Sequence, residues 1–487
     1  MSGLELEAFR YHNISSNSQV LGTNFNGTIQ FDLRLNSDAE VRHLGDSYFV
    51  LGATFNHPTD AFDANYLVTS HTDAVATTNQ GFAQNVDALL FTSAEFRVND
   101  LVVTHAESFP THVIHNRLMN ETYEMQLNSS CPMLPYDTSY AIATNFTDAQ
   151  ADNLVPGAAV PVNMVYQKQD IINNNIIRRH SSAAGTLTVW DSTLPVVGAP
   201  FQVNIVIPFP FGETVSPDAP FAFMGNTKLS IVFQVNQSWN TSIFNSVPAG
   251  GAMPINRADF HTFEWCVPIH KGSVPRSLTS SNTFLETYSV RANNNSNQYQ
   301  YQIPATTQRV VISFMQTVGN ANVINGPAFT NTTPALRNGI AATGVLNSYI
   351  PVPLVGTTAP YALRLTDMYI NINGANFPQN PYHFADGSRD DWSRAYSDYL
   401  RFSGSHESGE TNIIRTFKEY LQCPVFVFNT KSPPNSVGQT TLTIYCNGAA
   451  VSPSTTELCL TCSYPKLLEI EYDDGGVPKF TSVKNVA

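Results

Sequence analysis

Residues Ala362 to Phe402 read ALRLTDMYININGANFPQNPYHFADGSRDDWSRAYSDYLRF, and this stretch decides the fold. Its first part alternates: Met368, Ile370 and Ile372 fall on one side, Tyr369 and Asn371 on the other, the period of a half-buried strand. Asn373-Gly374 then supplies the dipeptide best suited to positive φ at both central positions of a tight hairpin turn, so the chain reverses there. A polar loop containing Pro378 and Pro381 is expected next. It leads to Ser388 and Asp390, which can accept hydrogen bonds from free backbone N–H groups and so start a helix. Trp392, Ala395, Tyr396, Tyr399 and Leu400 follow at the spacing of one buried helical face, and the helix ends before Gly404.

The same order of elements occurs earlier, in LLFTSAEFRVNDLVVTHAESFPTHVIHNRLMN from Leu89 to Asn120. Phe96 and Val98 alternate into an Asn99-Asp100 turn, and a return strand precedes a short helix expected over Thr111 to Met119. The offset between the two copies is too long for a solenoid repeat and suits one large β-domain, so the chain reads as two related domains in tandem.

On these residues the chain resembles the double jelly-roll major capsid proteins of tailless double-stranded DNA viruses, a group spanning adenoviruses, virophages, polinton-like viruses and large amoebal viruses. In that family each jelly roll carries a strand ending in a short Asn-containing hairpin, as in Phe96 to Asp100 and Met368 to Gly374 here. VRHLGDSYFVLGATFN (Val41 to Asn56) resembles the family's early Ser-Tyr strand; LQCPVFVFNTKSP, TTLTIYCNGAA and YPKLLEIEY resemble its last three. The order and spacing of the pieces carry the likeness. It implies an all-β fold of two tandem eight-stranded jelly rolls with long loop insertions and short helices. It also implies a homotrimeric pseudo-hexagonal capsomer in the icosahedral shell of a virion assembled inside the host cell, with vertex (penton) and minor capsid proteins as further partners.

Composition agrees with a β-rich structural protein. The chain has 487 residues, enough for two large β-sandwiches, and its 30 Phe and 20 Tyr favour strands. Charged residues are 13%, against about 25% in a typical soluble domain. Much of the surface is therefore amide, hydroxyl or apolar, which suits surfaces covered by neighbours. Net charge is −13, which argues against a general nucleic-acid binder. The densest basic cluster is Arg178-Arg179. The first 40 residues hold only Arg10 and Arg34 as basic groups, and after Tyr464 the lysines Lys466, Lys479 and Lys484 face Glu469, Glu471, Asp473 and Asp474. No basic arm for gathering a genome is expected, nor sequence-specific nucleic-acid binding. MSGLELEAFR does not read as a signal peptide, and no apolar run is long enough for a membrane span. The Asn-x-Ser/Thr sequons, among them Asn26, Asn145 and Asn331, then reflect Asn abundance.

Read in order, residues 1–24 form an arm, 25–267 the first jelly roll, 268–282 a polar, breaker-rich linker and 283–487 the second jelly roll. NGTIQFDLRL places Ile29, Phe31, Leu33 and Leu35 inward; Tyr48 to Phe55, GTLTVW, FQVNIVIPFPF and KLSIVFQV follow as strands. The second domain opens with strands at Gln298 to Ile303 and Arg309 to Phe314. The segments 120–180 and 318–361 are long and irregular; the resemblance implies outward towers making trimer contacts.

Several residue groups invite chemistry, and each has a plainer reading. Asp390-Asp391 with Glu407 and Glu410 resembles a glycosidase carboxylate pair, but aspartates beside a helix start serve as caps and dipole partners. His105, His112 and His115 form a cluster without a matching third ligand. The cysteines are Cys131, Cys266, Cys423, Cys446, Cys459 and Cys462. Cys459-x-x-Cys462 lies in LCLTCSY, which reads as a strand, where residues three apart point to opposite faces and cannot share one zinc without a knuckle turn. Asp473-Asp474-Gly475-Gly476 reads as a turn before a calcium loop. No catalytic, cofactor or metal residues are assigned, and no cofactor or enzyme activity is expected. The rival reading is a secreted carbohydrate-binding or glycoside-cleaving β-sandwich; a vertex or spike protein of the same virus type is a second rival.

Overall fold

The computed structural model describes residues 10–15, 25–56 except 37, 86–122, 201–212, 222–237, 257–271, 278–293, 296–316, 365–384, 391–403, parts of 412–430, 438–447, 456–473 and 477–485. The GTLTVW strand and the segments 123–180 and 318–361 lie outside them.

In the first barrel, two four-membered strand sets pack face to face. One is ordered β1 (Arg10–Ser15), β10 (Arg257–Lys271), β4 (Tyr48–Asn56), β7 (Phe201–Pro208), with the short β3 (Ala39–Val41) paired to β10 and β8 (Phe223–Met224) to β3. The other runs β2 (Thr28–Arg34), β9 (Lys228–Val235), β5 (Phe91–Val98), β6 (Leu101–Ala106). Taking the eight main strands in chain order as B to I, the two sheets read B-I-D-G and C-H-E-F. That is the jelly roll, with its two interlocked Greek keys.

The second barrel repeats it strand for strand. B-I-D-G is β11 (Leu278–Asn293), β18 (Thr456–Tyr472), β13 (Arg309–Gln316), β16 (Val425–Asn429). C-H-E-F is β12 (Gln298–Pro304), β17 (Gln439–Asn447), β14 (Asp367–Ile372), β15 (Ala375–His383). A helix follows strand F in both: α2 (Phe109–Asn120) and α3 (Trp392–Phe402); a short α1 (Val86–Leu89) precedes β5. The fold is a double jelly roll.

The alternation read from sequence is the alternation that packs. Ile29, Phe31, Leu33 and Leu35 are buried, as are Leu229, Ile231, Phe233 and Val235 on the neighbouring strand. Phenylalanines fill the first core: Phe31 meets Phe263 edge-on at 4.8 Å, and Phe91 packs on Phe233 at 4.6 Å. Trp265 stacks on Phe49, and its indole N–H, otherwise orphaned at zero exposure, donates to Ser47 Oγ at 3.1 Å. The two hairpin turns hold Asn99 and Asp100 at φ of 50° and 65°, and Asn373 and Gly374 at 51° and 82°. These are the paired positive values that a two-residue hairpin of matching twist demands.

Four expectations change. The segment after Gly374 is not a loop: β15 runs through Pro378 and Pro381, because it is an edge strand where a missing N–H costs no ladder bond. The cap is also different: Asp391 stands at the N-cap of α3, but its carboxylate accepts from the His383 backbone N–H (3.0 Å) instead of capping. Ser388 and Asp390 lie outside the described residues. Residues 10–15, expected in the 1–24 arm, are strand B of the first barrel, since pairing with β10 satisfies their backbone whatever their side chains. The 268–282 stretch gives its ends to β10 and β11, leaving 272–277, which hold Gly272 and Pro275, between them.

β11 and β18 outrun their own barrel. Leu458, Leu460 and Cys462 sit in the second core, but Leu468, Ile470 and Tyr472, farther along β18, sit in the first with Phe284 of β11. A last strand not anticipated from sequence, β19 (Pro478–Asn485), pairs with this far half of β18. The barrels are thus joined by a continuous ribbon as well as by the chain itself.

Candidate functional interface

Where the barrels meet, α2 of the first lies on the outer face of the second barrel's B-I-D-G sheet. That face is built by odd-numbered residues, because even-numbered neighbours point into the second core: Thr287 and Ser289 on β11, Ser313 on β13, Cys459 and Thr461 on β18. All are buried. A polar face denied water must satisfy its groups internally, and here the partners come from the helix.

His112 and His115 supply them. The His112 Nε2–H donates to the Pro210 carbonyl at 2.8 Å, which leaves Nδ1 as acceptor for the Thr287 hydroxyl at 2.6 Å. His115 holds Thr461 Oγ1 at 2.7 Å through Nδ1 and Ser313 Oγ at 2.9 Å through Nε2, and Thr461 is bonded in turn to Ser289 at 3.0 Å. Burial, reinforced by His112 and Arg309, lowers the His115 pKa to about 3. Toward the first barrel, Arg117 forms a two-pronged pair with Asp87 of α1, with Nη1 on Oδ1 at 3.0 Å and Nη2 on Oδ2. The two helices also touch: the Tyr399 hydroxyl donates to the Leu118 carbonyl at 2.9 Å.

The pairs and clusters picked from sequence are taken apart by the fold. His105 is exposed on β6, away from the two junction histidines, whose rings are engaged with hydroxyls and a carbonyl. Asp391 faces His383 and Arg394; Asp390, Glu407 and Glu410 lie outside the described residues. Cys459 and Cys462 are buried on opposite faces of β18, Cys459 toward Thr111 and Ser313. Burial pushes the Cys459 and Cys446 thiols up to about 12 and raises Cys462 and Cys266 as well, so none is an activated nucleophile. Cys131 and Cys423 lie outside the described residues, as do Arg178, Arg179, Asn145 and Asn331; Asn26 is exposed. Asp473 accepts the Val477 N–H at 2.8 Å, and Asp474, Gly475 and Gly476 lie outside the described residues. Among the described residues no group of three His, Cys, Asp or Glu is arranged to hold a metal, and no helix is long and apolar enough to cross a membrane.

Sequence reading missed the hydroxyl face. Its signal is present: LCLTCSY alternates apolar Leu458, Leu460 and Cys462 with Cys459, Thr461 and Ser463, small groups with no long charged side chain among them. A strand face of small polar residues is the pattern of a surface that something covers.

No family profile and no curated protein matches this sequence. Among solved structures the chain is similar to the mavirus major capsid protein, at 9% identity and a TM-score of 0.48, covering 100% of this chain and 92% of that one. The Sputnik virophage structure gives 12% identity and a TM-score of 0.49, with 100% and 90% covered. The PBCV-1 virus capsid gives 11% and 0.45, with 98% and 97% covered.

Proposed function

We propose that this chain is a viral major capsid protein: a structural protein, three copies of which close into a pseudo-hexagonal capsomer that tiles an icosahedral shell. One observation carries the reading. The same eight-stranded barrel occurs twice, and the contact between the two is head-to-tail: α2 and β6 of one barrel meet the B and I strand side of the next. A head-to-tail contact used once leaves its two halves over. Here these are α3 and β15 on the second barrel, and β1 and β10 on the first. Repeating the contact between copies joins those halves, and a rotation that closes makes a ring. Three chains give six similar barrels, so a threefold unit fits a site with six neighbours.

The outer side of α3 suits such a contact, with Ser393, Ser397 and Arg401 exposed. The chain divides, on this reading, into a first barrel ending at β10 and a second beginning at β11. Vertex and minor capsid proteins complete the shell. The chain catalyses nothing, and the genome is packaged by other components, since −13 of net charge gives no means of neutralising phosphate.

Light scattering at low micromolar concentration tests this. The expected mass is about three times 53.5 kDa, with a hexagonal outline in negative-stain images. A monomer at every concentration overturns the proposal.

A further inference from the structure

The junction places two histidines where neither barrel's core needs them. His112 bridges the barrels, with Pro210 on one side and Thr287 on the other; His115 reaches wholly into the second barrel's hydroxyl face. Both rings are buried, and each meets two hydrogen-bond partners with a neutral imidazole's one donor and one acceptor. The ionisable groups around them do not welcome a further positive charge. From β13 comes Arg309; from β18 comes Cys459, whose thiol burial keeps neutral; Arg291 and Glu457, farther along β11 and β18, are paired with each other at 2.8 Å. Behind the helix, Arg117 and Asp87 are likewise paired. A second proton on either imidazole would be a charge in a site built of hydroxyls.

We propose that α2 is an acid-operated latch between the barrels, seated at neutral pH and leaving its seat on the second barrel on acidification while the strands of both barrels stay folded. Once α2 lifts, the His115 imidazole reaches water and regains ordinary basicity, so falling pH draws the helix outward by mass action. The ribbon of β11 and β18 keeps the barrels tethered, because Leu468, Ile470 and Tyr472 remain in the first core. What opens is the helix seat. The shift in His115 toward about 3 agrees with this direction.

Hydrogen exchange on the full chain, corrected for intrinsic rate, tests the latch from about pH 7.5 to about pH 4.5. Peptides covering Phe109–Asn120 should show an opening equilibrium that rises about tenfold per pH unit below about pH 6.5, while peptides from β9 and β17 show no such rise. In His115→Gln the rise should flatten. Arg309→Gln removes a repelling charge from the surface of the seat, so opening should begin at lower pH; this variant keeps the test decisive if His115→Gln does not fold. Opening of α2 only together with β9 and β17 at every pH overturns the proposal. So does an undiminished rise in a folded His112→Gln/His115→Gln protein, or an unchanged onset in Arg309→Gln.

Discussion

α2 and α3 occupy the same place in two copies of one barrel, yet they are different kinds of helix. α3 has one buried side, where Trp392, Ala395 and Tyr399 pack on Phe384, Phe426 and Tyr420, and one side open to water. α2 is buried almost all round: Phe109 and Val113 belong to the first core, Ile114, Leu118 and Met119 to the second, and His112, His115 and Arg117 fill the spaces between. A helix between two barrels has almost no solvent side on which to put its polar groups. Those it keeps are specified by hydrogen bonds, and the difference shows what the junction demands of a sequence.

The two seats differ in what breaks them. Arg117→Met should cost the most, about 3–5 kcal/mol in denaturant unfolding, because Asp87 is left charged and buried. Adding Asp87→Leu should return most of that loss, since replacing both partners removes the stranded charge; a double variant no better than the single would show that the pair is not the cause. On the other helix, Trp392→Ala should cost roughly 3–5 kcal/mol through loss of its stacking on Phe384 and the cavity beneath. A variant as stable as the wild type would mean that α3 is not seated by its aromatic side.

Acid should separate the helices more cleanly. The folded-state pKa of His115 is depressed, so its contribution is complete above the unfolded value of 6.5 and is lost as pH falls toward about 3. Between pH 6.5 and about pH 4.5 this amounts to about 3 kcal/mol, at about 1.4 kcal/mol per unit. The wild-type stability curve should therefore fall more steeply than that of His115→Gln; parallel curves would remove His115 as a source of acid sensitivity. α3, which has no histidine, contributes nothing of this kind. The smallest effect should be Tyr399→Phe, about 1 kcal/mol for the lost bond to Leu118, measured by the same unfolding. A neutral result would mean the helices touch without stabilising one another.

How far these features are legible in the sequence follows the same division. The amphipathic spacing of α3 marks its buried residues directly, because one neighbour imposes one apolar stripe. The 111–119 helix is visible as a short element, but nothing in FPTHVIHNRLMN separates a helix wrapped on all sides from an irregular polar one, and its histidines read as a stray cluster. The turns Asn99-Asp100 and Asn373-Gly374 are readable since positive φ selects few residues. β15 is not, because two prolines argue against a strand until the strand is known to be an edge. β1 and β19 escape notice for a related reason: they are held by backbone pairing with β10 and β18, which leaves little mark on side chains.

The sequence by itself determined the alternation of the core strands, the two hairpins, the amphipathic helix and the repetition of one barrel in tandem. These are set by local backbone preference and by which faces must leave water. Only the tertiary structure decided that β11 and β18 run through both cores, that α2 is the surface between barrels, and which hydroxyls receive His112 and His115. Those contacts join residues up to 346 positions apart, as between His115 and Thr461, and their partners are chosen by proximity that no local pattern encodes.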